Sequence, residues 1–384
     1  MKEIKLHGNS IIIGKDSLEY IKGLQIKRAF IVTGGNSMFK NGAIDRLTNI
    51  LRDVDAEYEL FCKVKKNPSI NTVLDAIEKM KEFQPDTVIG IGGGSPIDVA
   101  KAAAVFYEYP ELDIKNPDNL ILPKMRKKVR LIAIPSTSGT GTEVTRASVL
   151  TYDDMNLKIG LKCDAFIPDV AVLDAALTLS MPKNIVAETG MDALTHAIEC
   201  YINKNIDEFT EVLAEGAIKG LIRYLPLSYE YENYDFREKV HIYSTMAGCA
   251  FSNVGLGMAH GISHALGGRF DLSHGLLNAI ALPYVLLFNS RDEKVKERLN
   301  NISSMIGNDI IEEIIKLNRK IGIPLSLKDA SLDEGEFLNE FESLVGNSMK
   351  GSTRVNPVKV NLDDMKIILR AIYYGRLEDL KIQS

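Results

Sequence analysis

A change of rhythm near residue 180 divides this chain in two. Before it, short β-rich runs alternate with helical patterns. The sequence predicts strands at 28–33, 57–62, 87–91, 129–134, 147–151 and 171–174, with helices at 37–51, 71–83 and 96–106 between the first four. In 71–83 the apolar residues Val73, Leu74, Ile77 and Met80 mark one helical face. Strands that alternate with helices need crossover connections, so a parallel sheet of α/β type is expected. After Pro182 strand signals nearly vanish. Helices are predicted at 184–203, 208–225, 237–252, 257–267, 292–306, 310–321 and 362–374. The expected organisation is an α/β domain over 1–182 and an all-helical domain over 183–384, with 384 residues giving ample material for two cores.

Composition removes several classes of function. A net charge of −5 without a basic block argues against nucleic acid as a partner. The charged start Met1-Lys2-Glu3-Ile4-Lys5 has no apolar run behind it, so no secretory signal is expected. The most apolar stretch, 275–288, contains Asn278 and Pro283 and is too short to span a bilayer. The cysteines Cys62, Cys163, Cys200 and Cys249 are scattered with no CxxC pair, which fits a reducing cytoplasm and no cysteine-metal site.

Two loops point to a nucleotide. Gly90-Ile91-Gly92-Gly93-Gly94-Ser95-Pro96-Ile97-Asp98 follows a strand and opens a helix. Glycines there admit positive φ and let a ligand approach the backbone. Ser95 reads as an N-cap and Pro96 as the first helical residue, leaving bare N–H groups that favour a pyrophosphate. Pro135-Ser136-Thr137-Ser138-Gly139-Thr140-Gly141-Thr142-Glu143 follows a second strand and reads as another wall of the same site. A histidine cluster points to a metal. Five of the six histidines lie between 196 and 274. Asp192 and His196 share a helical face by i,i+4 spacing, His260 and His264 repeat it, and His274 follows. Imidazoles with a carboxylate suit iron(II) or zinc. His7 and His241 lack patterned neighbours and read as structural.

On these stretches, with Asp192-Ala193-Leu194-Thr195-His196-Ala197-Ile198-Glu199 and the run from Ala250-Phe251-Ser252-Asn253 to His274-Gly275, the chain resembles the iron-dependent (group III) alcohol dehydrogenases over essentially its whole length. The resemblance implies an N-terminal Rossmann-like nucleotide-binding domain and a C-terminal helical domain, the architecture shared with dehydroquinate synthases. It implies hydride transfer between NAD(P)(H) and a short alcohol, diol or aldehyde, in a cytoplasmic homodimer or larger homo-oligomer. Metal ligands are implied at Asp192, His196, His260 and His274, for Fe(II) with zinc also suited. His264 and Asp98 would be catalytic residues beside the nicotinamide. Gly93, Gly94 and Ser95 would hold the pyrophosphate, with Asn67, Thr137, Thr140 and Lys158 lining the cofactor cleft. Phe251 and Ala147 would line the substrate pocket. A glycerol dehydrogenase-like or dehydroquinate synthase-like enzyme, or a non-catalytic nucleotide-binding protein, is the alternative. A synthase of that kind should want Lys and Arg near the metal, and the segments around His260 and His274 offer only Arg269.

The choice of cofactor is read at the end of strand 28–33. An acid there commonly accepts the adenosine ribose hydroxyls. Here Gly34-Gly35-Asn36-Ser37 follows, with Lys40 one turn on. Family members that prefer NAD tend to carry aspartate at the Gly34 place, and Gly34 is read as leaving space for a 2′-phosphate. NADP(H) is therefore expected over NAD(H), with Gly34 and Ser37 as contacts.

Overall fold

The computed structural model describes residues 3–153, 157–270 and 272–381. It divides into two compact units, Met1–Met181 with Asn233–Ser252, and Pro182–Glu232 with Asn253–Ser384.

The first unit is built on a six-stranded, all-parallel sheet. Its strands are β1 (Ser10–Ile13), β2 (Arg28–Gly34), β3 (Glu57–Val64), β4 (Thr87–Gly92), β5 (Arg130–Pro135) and β8 (Val170–Leu173), in the order β1-β8-β5-β4-β2-β3. A two-stranded antiparallel ribbon pairs β6 (Ala147–Tyr152) with β7 (Leu157–Lys162). Alternation within each strand explains why the sheet is covered on both faces. Phe30, Val32, Val88 and Leu131 join one core with Val73 and Ile77 of α3 (Ile70–Phe83) and Val99 of α4 (Gly94–Glu108). Ala29, Ile31, Ile89 and Ile132 join a second core with Leu47 and Leu51 of α2 (Ala43–Asp53). The predicted single helix at 37–51 is two, α1 (Ser37–Lys40) and α2, because Gly42 breaks it at φ 76°.

The strand order fixes where a ligand belongs. The chain runs from β2 outward to β3, then returns to the other side of β2 to form β4. The carboxyl ends of β2 and β4 therefore flank the point where the order reverses, the usual binding crevice of open α/β sheets. Gly34 ends β2 and Gly92 ends β4.

The helix α7 (Tyr234–Val254) differs from the division at 182/183, because most of it groups with the first unit. Its contacts supply the reason. His241 Nδ1 lies 2.8 Å from Ser138 Oγ, and Thr245 Oγ1 donates to Glu143 Oε1 at 2.6 Å. Gly248 meets Gly141 so closely that a Cβ on Gly248 would sit 3.0 Å from the Gly141 Cα. Burial pushes the His241 imidazole down to about 4. The folded state thus refuses a proton that the unfolded chain takes up below its ordinary value near 6.5. More protons bind to the unfolded state, so stability rises with pH from about 4 to 6.5 and is level above. Over that window His241 should withdraw at most about 3 kcal/mol on acidification. Unfolding of wild type and His241→Gln between pH 7 and pH 4 tests this. The gap between the two should change with pH, and a constant gap would contradict the assignment.

The second unit has helices and no strand among its described residues. Its helices are α5 (Lys183–Ile202), α6 (Glu208–Glu230), α8 (Met258–Arg269), α9 (His274–Asn289), α10 (Glu293–Ile306), α11 (Ile310–Lys320), α12 (Glu334–Ser348) and α13 (Leu362–Tyr374). The apolar stretch 275–288 forms most of α9, with Pro283 inside it. Among the described residues no helix is long and apolar enough to cross a membrane.

Candidate active site

In the first unit the glycine turn enters α4 two residues earlier than the sequence suggests. Gly93 is the N-cap and Gly94 the first helical residue, so Ser95 and Pro96 occupy the second and third positions. This corrects the reading of Ser95 as the cap. The extended backbone of Gly93 (φ −71°, ψ −167°) makes the turn without help from a side chain. It leaves the N–H groups of Gly94 and Ser95 without partners inside the helix. The hydroxyl-rich loop packs against this turn. A Cβ on Gly94 would lie 3.0 Å from Thr140 Cγ2, and one on Gly93 3.6 Å from Thr137 Cγ2. Ser136 N–H donates to the Gly92 carbonyl at 2.8 Å. The residues read as pyrophosphate and cleft contacts are thus brought together, and the half-buried Gly93–Gly94–Ser95 backbone suits an anion.

Behind the turn lies a buried ionic knot. Lys101 of α4 is 0% exposed. Its Nζ donates to Thr142 Oγ1 (2.8 Å), the Thr145 carbonyl (2.9 Å) and the Ala147 carbonyl (2.9 Å). Thr142 Oγ1 in turn donates to Asp98 Oδ1 at 2.6 Å, and Val149 N–H donates to Asp98 Oδ2 at 3.1 Å. Burial draws Lys101 down to about 8 and raises Asp98 and Glu143. Both Asp98 carboxylate oxygens are engaged by the protein's own donors, a geometry that holds α4 to the loop and to β6. Asn67, at φ 55°, belongs to a turn tied to the same ribbon. Thr151 N–H donates to the Pro68 carbonyl and Thr151 Oγ1 to the Asn67 carbonyl, and Lys158 pairs with Thr151 across β6 and β7. Phe251 sits on α7, its Cε1 3.6 Å from where a Gly141 Cβ would be.

Gly34 requires a correction. The sequence reading gave it open space. In the fold it pairs with Val64 of β3 after a register shift, and a Cβ would meet the Val64 carbonyl oxygen at 2.2 Å. Glycine is demanded there by the neighbouring strand. Ser37 and Lys40 on α1 are exposed.

In the second unit three helices bring the acid and the imidazoles together. Asp192, His260 and His274 each offer one ligand atom, all within 4.8 Å of one another. Asp192 Oδ1 is 3.7 Å from both His260 Nε2 and His274 Nε2, and 4.0 Å from His196 Nε2. The His196 and His260 rings stack at 4.5 Å. His264, exposed one turn along α8, stacks on His274 at 4.9 Å. The Asn278 amide nitrogen lies 2.8 Å from Asp192 Oδ1, 3.1 Å from His260 Nε2 and 3.2 Å from His274 Nε2, while its Oδ1 is buried without a partner. His260 is 1% exposed, and burial with its neighbouring imidazoles holds it well below the ordinary range. A neutral imidazole keeps a lone pair for a cation, and one carboxylate with imidazoles suits a divalent first-row metal.

The family model of iron-containing alcohol dehydrogenases matches residues 8–175, and that of the Fe-containing alcohol dehydrogenase C-terminal region matches 186–373. The chain belongs to this family. An iron-containing alcohol dehydrogenase is an oxidoreductase of alcohols and aldehydes, and this chain is one. It is 41% identical to the NADPH-dependent butanol dehydrogenase of Clostridium saccharobutylicum over 95% of this chain and 96% of that protein. It is 36% identical to the bifunctional aldehyde-alcohol dehydrogenase of Escherichia coli, over 91% of this chain and 43% of that protein. The solved structure of an iron-containing alcohol dehydrogenase from Thermococcus thioreducens matches it with a TM-score of 0.88 at 35% identity, covering 98% of this chain and 100% of that one.

Three residues of this alcohol dehydrogenase's metal-side cluster escaped sequence reasoning as chemistry: Glu199, Ser263 and Asn278. Their signal was spacing. Glu199 falls seven residues after Asp192 on α5, and Asn278 four after His274 on α9, each on the face already singled out. Lys101 was hidden for the opposite reason, because a lysine inside an apolar helix pattern reads as solvated until its partners are seen.

Proposed function

We propose that this chain is a metal-dependent, NADP(H)-preferring dehydrogenase of short alcohols and diols, working in practice as an aldehyde reductase. The observation that carries the reading is the buried acid–imidazole group of Asp192, His260 and His274, with His196 beside it. These four would hold the metal. Gly93, Gly94 and Ser95 would hold the pyrophosphate, and Asn67, Thr137, Thr140 and Lys158 would line the rest of the cofactor path. When bound, the metal supplies a Lewis acid for the substrate oxygen and the nicotinamide supplies or takes the hydride. The chain's own part is positional. Asp98, through Thr142 and Val149, keeps α4 and the hydroxyl loop in one arrangement. His264, exposed beside His274, would pass the substrate's proton to solvent. Phe251 and Ala147 would give the substrate pocket an apolar wall for a short chain.

NADP(H) preference rests on the absence of an acid where β2 ends and on Ser37 and Lys40 beyond it. The register that pairs Gly34 with Val64 also brings the exposed Lys65 and Lys66 to that end of the sheet. The NADPH dependence of the butanol dehydrogenase relative supports the same reading. Because Gly34 is held by packing, Ser37→Asp is the cleaner probe. It should lower kcat/KM for NADPH by about a hundredfold, the equivalent of about 2.7 kcal/mol of like-charge repulsion. NADH should be little affected. The measurement is kcat/KM with each cofactor over a panel of short aldehydes after Fe(II) loading. A wild type that prefers NADH would contradict the preference, and one that reduces no aldehyde would contradict the function. The family resemblance supports a homodimer or larger homo-oligomer in the cytoplasm, and light scattering of the purified protein tests the assembly.

A further inference from the structure

We propose that Glu199 locks the tautomer of His260, so that its Nε2 lone pair is fixed toward the metal group and the site is pre-organised before any cation arrives. The proposal rests on the reading of Asp192, His260 and His274 as metal ligands. Glu199 lies on α5 and is 1% exposed in its side chain. Its carboxylate sits against the start of α8. Oε1 accepts from Ala259 N–H at 2.6 Å, and Oε2 accepts from Gly257 N–H at 2.8 Å. These are the free donors at a helix entrance, so a buried anion is well placed there. Oε2 also lies 2.7 Å from His260 Nδ1. Both oxygens already accept backbone N–H bonds, so the carboxylate is set up as an acceptor, and the ring in this arrangement carries its proton on Nδ1. The lone pair is then on Nε2, the atom that faces Asp192. One carboxylate thereby anchors the helix that carries His260 and chooses which ring nitrogen is bare.

The same logic recurs at lower stakes across the cluster. Ser263 Oγ donates its one proton to the His274 carbonyl at 3.0 Å, so at 2.8 Å it accepts from His274 Nδ1–H. That also leaves Nε2 bare. Glu199 is the stronger lock, because it is buried and also holds the helix entrance. Such outer partners of ligating imidazoles set ring orientation and basicity.

Glu199→Gln keeps the shape and exchanges one acceptor oxygen for a donor. In either orientation the amide sets its NH2 against a backbone N–H: toward Oε2's place it donates to Nδ1, drives the ring proton onto Nε2 and blocks ligation, and toward Oε1's place it repels Ala259 N–H and loosens the helix start that carries His260. The test compares wild type, Glu199→Gln and His260→Ala as purified full-length protein. Zinc affinity is measured by competition with a chromophoric chelator, and the imidazole 15N shifts of the metal-free protein report the tautomer. The expected result is an Nδ1–H tautomer at His260 in wild type and a zinc affinity weakened about 10- to 100-fold in Glu199→Gln. The rise in Tm on adding zinc should shrink with it, whatever the variant does to the metal-free Tm. Wild-type zinc affinity in Glu199→Gln, alongside its loss in His260→Ala, would overturn the lock while leaving the metal site standing. No zinc binding by wild type would overturn the metal site itself. An Nε2–H tautomer in metal-free wild type would overturn the lock even if the variant failed to fold.

Discussion

His260→Ala is expected to release the metal and lower kcat/KM for aldehyde reduction by about a thousandfold, the factor that about 4 kcal/mol of lost electrostatic stabilisation represents. The physical case is local. His260 is the most buried imidazole of the group, and its Nε2 shares Asp192 Oδ1 with His274. Alanine there leaves a gap in the middle of the donor set, which the remaining imidazoles on α5 and α9 cannot close without moving their helices. The fold should persist, because Met258, Ala259 and Ile262 keep α8 in the core. Metal content by elemental analysis, far-UV circular dichroism and turnover separate the cases. Full metal occupancy with near-normal turnover would remove His260 from the site. His264→Ala is the contrast, and there metal should stay while turnover or its pH profile changes.

The second large effect is expected at Lys101→Met. Methionine fits the volume, but it removes the cation from between Asp98, Thr142 and the Thr145 and Ala147 carbonyls. Breaking a buried charged network costs about 3–5 kcal/mol. For a unit of this size that is a fall in Tm of about 10 °C. The sign with pH follows from the carboxyls left behind. Asp98 and Glu143 are already raised by burial, and without Lys101 they rise further. The folded state then holds protons that the unfolded chain releases, so stability falls as pH rises. The loss should be smaller at pH 5 than at pH 8. Cofactor binding should weaken too, since the knot aligns α4 with the hydroxyl loop. Calorimetry at the two pH values checks this, and a Tm within about 2 °C of wild type at both would show that the knot contributes little.

The alternation of β-rich and helical segments was legible because the sheet is buried on both faces. Runs such as Phe30-Ile31-Val32 have nowhere else to go. Helix α9 was not legible as a helix: it is apolar on every side and carries Pro283, so it shows no amphipathic period. Helix α12 was missed as well, although Phe337, Phe341 and Leu344 give it a helical stripe. The placing of α7 with the first unit depended on glycine contacts that no periodicity reports. The same is true of Gly34. A glycine before a turn reads as room for a ligand, and only the strand register shows that Val64 fills the place. The faces of Asp192 with His196 and of His260 with His264 were legible because i,i+4 spacing fixes them, whereas the set that includes His274 came from the family resemblance. The partners behind them were not, because the hydrogen bond between His260 of α8 and Glu199 of α5 is set by tertiary packing.

Read as a metal site, the acid–imidazole group makes this chain a metal-dependent dehydrogenase. The most direct test of that reading is NADPH-dependent reduction of butanal by the purified enzyme, before and after removal of metal with a chelator and after stoichiometric Fe(II) or Zn(II) is restored. Activity should fall with the metal content and return with at least one of the two metals. Turnover that is indifferent to complete metal removal would contradict it.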